Sequence, residues 1–111
     1  MKIVLVPNDI KAMHRLDMDA TADGDLVEYR MTQNEFDILW NIGYFDALNS
    51  SLNLSIDEFE DEKIDISGID KAMVISNSYM EDHPVASRCL TSIVELLELA
   101  RKKRTGLFMY F

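Results

Sequence analysis

The most regular pattern of hydrophobic and polar positions lies in residues 88–104. Its apolar residues recur three or four positions apart, on one face of a helix: Leu90, Ile93, Val94, Leu97 and Ala100. Most of the other positions are polar or charged, so the segment predicts an amphipathic helix. Gly106 predicts the end of this helix, because glycine is common just beyond helix C-termini. The basic run 101–104 occupies its last turn, where cations complement the helix dipole.

Three other segments predict strands. Residues 2–6 are mainly β-branched or aliphatic and end at Pro7, and residues 107–111 are wholly apolar. Both are too short for a buried helix, so each predicts a buried strand, and we expect the two to lie side by side. Residues 26–31 present alternate side chains to two faces, which predicts a third strand.

The remaining periodicity is helical. Thr32 and Glu35 form a capping-box pattern, in which each side chain bonds the other residue's free backbone N–H, and a helix should follow. Gly43 is expected to interrupt or end that helix, and residues 44–52 continue it or form another. Further helices are predicted at residues 10–16 and 69–79, and a loop at residues 80–87.

These elements predict one α+β domain over residues 1–111. We expect a small sheet that includes the N- and C-terminal strands, packed against three or four helices. The chain has 111 residues and is 48% hydrophobic, which suffices for one core.

Cysteine content and apolar runs bear on the cellular compartment. Cys89 is the only cysteine, so no intrachain disulfide can form, and we expect it to be a small buried residue in a reducing compartment. The sequence contains no secretory signal pattern and no apolar run of membrane length. These features predict a cytoplasmic protein.

Negative charge is concentrated in the middle of the chain, whose net charge is −9. Residues 31–87 hold twelve acids and two bases and carry −10, whereas the other residues hold eight acids and nine bases and carry +1. Direct binding of nucleic acid is disfavoured, because phosphates require a basic surface. A basic protein partner is favoured by the same charge distribution.

The densest acidic stretch is SIDEFEDEKIDISGID, residues 55–70, with seven carboxylates and a single lysine, Lys63. It lacks helical periodicity, so we expect a loop with at most one turn of helix. Apolar residues are interleaved and are expected to hold the segment against the fold: Ile56, Phe59, Ile64 and Ile66. A solvated surface loop without a binding role is the alternative interpretation.

The segment that begins at Asp19 partly matches a calcium-binding loop. Thr21, Asp23 and Gly24 continue it as in a calcium-binding EF-hand loop, but Arg30 stands where the twelfth position needs a bidentate glutamate. An ordinary Asp-Gly turn is therefore expected, with no metal.

Three stretches resemble the small cytoplasmic immunity proteins of bacterial polymorphic toxin and contact-dependent growth inhibition systems. They are KIVLV at the start, FDILWNIGYFDALNSSLNLSIDEFEDE in the middle and SIVELLELARKKRTGLFMYF at the end, about half of the chain. The resemblance implies a protein without catalytic residues or cofactor that binds and neutralises a cognate basic toxin. For a nuclease toxin, an acidic surface would block the basic cleft that holds nucleic acid.

This interpretation assigns a partner-binding role to eight residues. The carboxylates expected to face lysines and arginines of the toxin are Asp57, Glu58, Glu60, Asp61, Glu62 and Asp65. Phe59 and Tyr44 are expected to supply aromatic anchors.

Two other functions remain open at this point. An acidic DNA mimic or regulatory adaptor would carry the same charge distribution and bind a basic host or phage protein. A small enzyme would need His14 or His83 in a pocket beside a carboxylate with a shifted pKa. The two histidines lie 69 positions apart and fit no metal-ligand spacing.

Overall fold

The sheet is antiparallel, and both ends of the chain lie at its centre. The computed structural model describes residues 1–111 and contains four strands: β1 (Lys2–Pro7), β2 (Leu26–Met31), β3 (Asp61–Asp65) and β4 (Gly106–Tyr110). Their order across the sheet is β2-β1-β4-β3. The predicted α+β class, the adjacent terminal strands and the third strand at residues 26–31 are therefore confirmed.

Five α-helices connect the strands: α1 (Ile10–Asp17), α2 (Gln33–Asn41), α3 (Tyr44–Leu52), α4 (Ile69–Asp82) and α5 (Ser87–Lys103). Short 3-10 turns, Ile66–Gly68 and Pro84–Ala86, precede α4 and α5. The sequence predicts three or four helices, one or two fewer than the structure has. The difference arises at Gly43, whose positive φ of 84° separates α2 from α3.

The predicted helix over residues 88–104 is confirmed, since α5 spans Ser87–Lys103. Its end is set by Arg104, which adopts the left-handed conformation, and not by Gly106 as predicted. Gly106 instead begins β4, where an added Cβ would lie 2.9 Å from the backbone oxygen of Ile64. Glycine is needed there because two strands approach closely. α4 continues to Asp82, so the predicted loop at residues 80–87 is shorter than expected.

The predicted acidic loop is wrong for residues 61–65, which form the edge strand β3. Ile64 is buried, whereas the flanking Lys63 and Asp65 are exposed. One buried side chain is enough because β3 lies at the edge of the sheet, where the other side chains of the strand can remain in contact with water. The charges on β3 also hinder pairing with the edge of another sheet.

The core lies between one face of the sheet and the helices α2 to α5. Val4 and Val6 of β1 point to this face, and α5 packs over β1 and β4 through its predicted apolar side. On the opposite face, Leu5 and Phe108 are also buried, and α1 covers part of that surface. None of the helices combines the length and apolar character that a membrane crossing requires.

Two local predictions from the sequence are confirmed. Thr32 and Glu35 form the capping box at the start of α2, with each side chain bonded to the other residue's backbone N–H. Cys89 is buried, as expected for a small apolar residue.

Candidate functional site

The acidic turn, defined here as Asp57, Glu58, Phe59 and Glu60, leads into β3. Phe59 is 85% exposed and has a positive φ of 67°. This conformation is uncommon for a bulky residue and costs on the order of 1 kcal/mol, so the surrounding contacts must hold it. The turn thus presents an aromatic ring to solvent from a constrained backbone.

Lys2, at the N-terminal end of the chain, supplies those contacts. Its side chain is buried, and its Nζ lies 2.8 Å from Oε2 of Glu58. The same ammonium lies 4.5 Å from the ring centroid of Phe36 and 5.2 Å from that of Phe59. These distances allow cation–π attraction to both rings. The first strand therefore holds the acidic turn in place.

Glu58 is occupied by contacts within the protein. Its Oε2 accepts a hydrogen bond from Lys2 and another, 2.9 Å long, from Nε2 of Gln33 on α2. The hydrogen bonds from Lys2 and then from Gln33 hold the pKa of Glu58 below its ordinary value. We therefore assign Glu58 to holding the turn, rather than to free contact with a partner.

Glu62 is occupied in a similar way. Its Oε2 accepts a 2.9 Å hydrogen bond from the backbone N–H of Ser55, and its Oε1 accepts one of the same length from that of Lys63. The side chain thereby ties the chain before the acidic turn to β3. Two of the six predicted carboxylates therefore have clear structural roles.

The other four predicted carboxylates are exposed: Asp57, Glu60, Asp61 and Asp65. Asp65 lies 3.7 Å from Nζ of Lys63, a long contact between exposed groups. Asp57, Glu60 and Asp61 form no salt bridge, although Asp57 accepts a hydrogen bond from the N–H of Glu58 within the turn. The surface beside Phe59 therefore carries negative charge that the protein itself does not neutralise.

Trp40 is an exposed aromatic residue that the sequence pattern did not identify as part of a surface. Its helical spacing with Phe36 and Leu39 places it with the core residues, yet it is 42% exposed. Its ring stacks on that of Phe36 at 5.9 Å, and Phe36 also contacts Lys2. Contacts therefore connect Trp40 to the acidic turn. The position of Trp40 at the edge of the apolar stripe of α2 is the one feature of the sequence that could have indicated its exposure.

The predicted role of Tyr44 as an aromatic anchor is wrong. Tyr44 is 1% exposed, and its hydroxyl is 2.7 Å from that of Ser76 in the interior. Burial raises the pKa of this phenol, so it stays neutral. A ring enclosed by α4 and the core cannot contact a partner while the protein is folded.

The largest of the five main cavities, about 600 Å³, lies between β2, α2 and α5. Tyr29 and Glu35 meet there, with 2.7 Å between the hydroxyl and Oε2. Burial opposes ionisation of Glu35, but hydrogen bonds from Thr32 and Tyr29 outweigh it and lower its pKa. Burial and the nearby Glu35 raise the pKa of the Cys89 thiol. This cavity therefore holds a tethered carboxylate and a protonated thiol, a poor set for nucleophilic chemistry.

The histidines of the enzyme alternative lie outside the main cavities. His83 stacks on Tyr79 with 5.5 Å between ring centroids, and His14 is an exposed residue of α1. Neither lines any of the five main cavities. No group of three or more histidine, cysteine or acidic side chains is arranged to hold a metal ion.

The segment that partly matches a calcium-binding loop is organised by an ion pair. Arg15 donates two 2.7 Å hydrogen bonds, from Nε and Nη2, to the carboxylate of Asp25. The backbone N–H of Ala22 also bonds to this carboxylate. The hydrogen bonds from Arg15 and then from Ala22 lower the pKa of Asp25 to about 2. Gly24 has a positive φ, as the expected turn requires.

Replacing Asp25 with asparagine is expected to remove a pH-dependent part of the stability. The pKa of the carboxyl is lower in the folded state, about 2, than the 3.8 of an ordinary aspartate. The ion pair therefore stabilises the fold above about pH 4 and loses this effect as the pH falls towards about 2. Urea unfolding should give a difference between wild type and Asp25→Asn that is largest above about pH 4. A difference independent of pH would contradict this role.

Comparison of the chain with protein-family models, with curated proteins and with solved structures gave no match.

Proposed function

We propose that this protein is an immunity protein that binds a cognate basic toxin, most simply a nuclease, through the acidic turn. The observation that carries the proposal is Phe59, a constrained aromatic residue that is 85% exposed beside unpaired carboxylates. Buried aromatic anchors surrounded by charged residues are typical of tight protein–protein interfaces. The toxin would be neutralised because its cleft could no longer admit nucleic acid.

Binding in this mechanism has an electrostatic step and a packing step. Asp57, Glu60 and Asp61 attract the basic cleft and raise the association rate, an effect that salt weakens. Phe59 then enters an apolar pocket of the toxin and slows dissociation. Because Lys2 and Gln33 already hold the turn, little conformational entropy is lost on binding.

The experiment that tests the proposal starts with the tagged protein as bait in the native strain. A basic protein encoded by a neighbouring open reading frame, recovered in stoichiometric amount, would be purified and assayed for nuclease activity. The proposal requires that one equivalent of the immunity protein abolish this activity. Recovery of such a partner whose activity is unaffected by binding would overturn it.

The alternative of a DNA mimic or regulatory adaptor predicts a different outcome. Many basic DNA-binding proteins would be recovered in small amounts, and moderate salt would release all of them, since only charge would hold them. The unpaired carboxylates next to Phe59 lie close together in one turn and the start of β3. This compact arrangement favours a single partner that has a binding pocket. A DNA mimic would instead carry its carboxylates along an extended surface, as phosphates are arranged in DNA.

A further inference from the structure

The two edges of the sheet differ in their capacity to pair with another strand. β2 bonds only to β1, with the register Leu5 opposite Glu28 and Val6 opposite Val27. In an antiparallel pair, the backbone N–H and C=O groups of successive residues point alternately towards the neighbouring strand and away from it. The hydrogen bond from the N–H of Asn8 to the oxygen of Asp25 fixes which residues of β2 point towards β1. The backbone N–H and C=O groups of Glu28 and Arg30 therefore face away from β1, along a free edge.

The opposite edge, β3, is protected. The bond from the N–H of Phe111 to the oxygen of Glu60 fixes its alternation and places the backbone groups of Lys63 at the free edge. There, Oε1 of Glu62 already accepts the N–H of Lys63. Four of the five residues of β3 are charged, and three of those four are acidic. A second copy of β3 would bring like charges together.

The β2 edge is self-complementary in one antiparallel register. Centred on Tyr29, two copies of the strand place Glu28 of each chain opposite Arg30 of the other. These residues are exposed on one face of the sheet and lie 3.7 Å apart as an ion pair within the monomer. The same register also pairs the free backbone groups. Residue 28 of each chain and residue 30 of the other form a hydrogen-bonded pair, in which each N–H donates to the other residue's C=O. Charge and hydrogen bonding therefore select the same arrangement.

We propose that the β2 edge is a homodimer interface, in which a second copy of this chain extends the four-stranded sheet to eight strands. The twofold axis passes through Tyr29, and the two Glu28–Arg30 pairs form across it. The proposal does not depend on the immunity function, because the residues that pair across the β2 edge, Glu28 and Arg30, do not belong to the acidic turn.

A groove beside β2 gives the second strand an apolar surface to cover. Its volume is about 480 Å³, and it lies between β2 and α5. Val27, at 37% exposure, and the partly exposed Leu99 line it. In the proposed register Val27 faces Met31 of the second copy, on the same side of the sheet as α5. Dimerisation would therefore bring the α5 helices and grooves of the two copies together.

Sedimentation of the purified protein at concentrations up to about 1 mM tests the dimer, since this range includes weak association. The wild type is expected to form dimers and no larger species, because β3 is protected. Glu28→Arg alone, or Arg30→Glu alone, places like charges opposite each other twice and should weaken dimerisation about tenfold or more. Asp61→Lys, on β3, should leave the dimer constant unchanged.

Restoration of the charge pairs identifies the register. The double variant Glu28→Arg/Arg30→Glu rebuilds both pairs in reverse and should dimerise like the wild type. An equimolar mixture of the two single variants should form heterodimers for the same reason. A wild type that stays monomeric at about 1 mM would overturn the proposal and leave the edge to a strand from another protein. Dimerisation that neither single variant weakens would also overturn it.

Discussion

Leu97→Ala is expected to lower the free energy of unfolding by about 3 kcal/mol. Leu97 is completely buried in α5, the helix that packs over β1 and β4. Truncation to alanine removes apolar contacts and leaves a cavity that a close-packed core fills only in part. Small domains are stable by only about 5–15 kcal/mol, so this one change should shift urea unfolding markedly.

Leu99→Ala is the matched control, because it makes the same chemical change two residues further along α5. Leu99 is partly exposed at the groove beside β2. Its truncation should cost about 1 kcal/mol or less. Both variants are measured at low protein concentration, where self-association does not contribute. Equal losses would show that the buried side of α5 is not the one described.

The parts of the fold that follow from local pattern were predictable. The apolar stripe of α5 needs only its own 17 residues to be recognised, and the terminal strands are short apolar runs. The break at Gly43 was foreseen because glycine adopts a positive φ without a Cβ penalty. The residue that ends α5 was predicted as Gly106 but is Arg104, a residue type that seldom adopts a positive φ.

The strand β3 could not be predicted from its own residues. Four of its five side chains are charged, so its propensity for a strand is low. It forms because β4, more than forty residues later in the chain, offers it a hydrogen-bonding partner, and because Ile64 completes the core. Tertiary contacts of this kind override local preference, most easily at the edge of a sheet.

The charge pattern of the sequence located the candidate site. It did not show which carboxylates are bonded within the protein and which are free. The sequence cannot show that Lys2 reaches Glu58, since about half of the chain separates the two residues. The exposures of Phe59 and Tyr44 also depend on tertiary structure. Both are aromatic residues near or within the acidic region, yet one is 85% exposed and the other 1%.

Under the proposed function, reversing two charges with Glu60→Lys/Asp61→Lys should weaken toxin binding by about 100-fold or more. Neither carboxylate has an internal salt bridge, so the fold should be retained. Each lysine would meet a basic cleft, where an unpaired or repelled charge costs about 2 kcal/mol or more. Titration calorimetry or surface plasmon resonance at two salt concentrations measures the loss, which should shrink as salt rises.

The control Glu81→Lys/Asp82→Lys carries the same change of net charge. Glu81 and Asp82 are consecutive and exposed, like the test pair, but they lie at the end of α4. If binding depends on the acidic turn, the control should change affinity only slightly, through the overall field of the protein. Equal effects of the two pairs would mean that total charge, and not this turn, attracts the partner.

Phe59→Ala separates the packing step from the electrostatic step. The charges of the turn are unchanged, so the association rate should stay near that of the wild type. Loss of a central aromatic anchor should raise the dissociation rate by about 30-fold or more, as for residues that contribute 2 kcal/mol or more. Phe59 is 85% exposed, so the variant should fold normally. A dissociation rate equal to that of wild type would exclude Phe59 as the anchor and leave binding to charge alone, as a DNA mimic or adaptor would require.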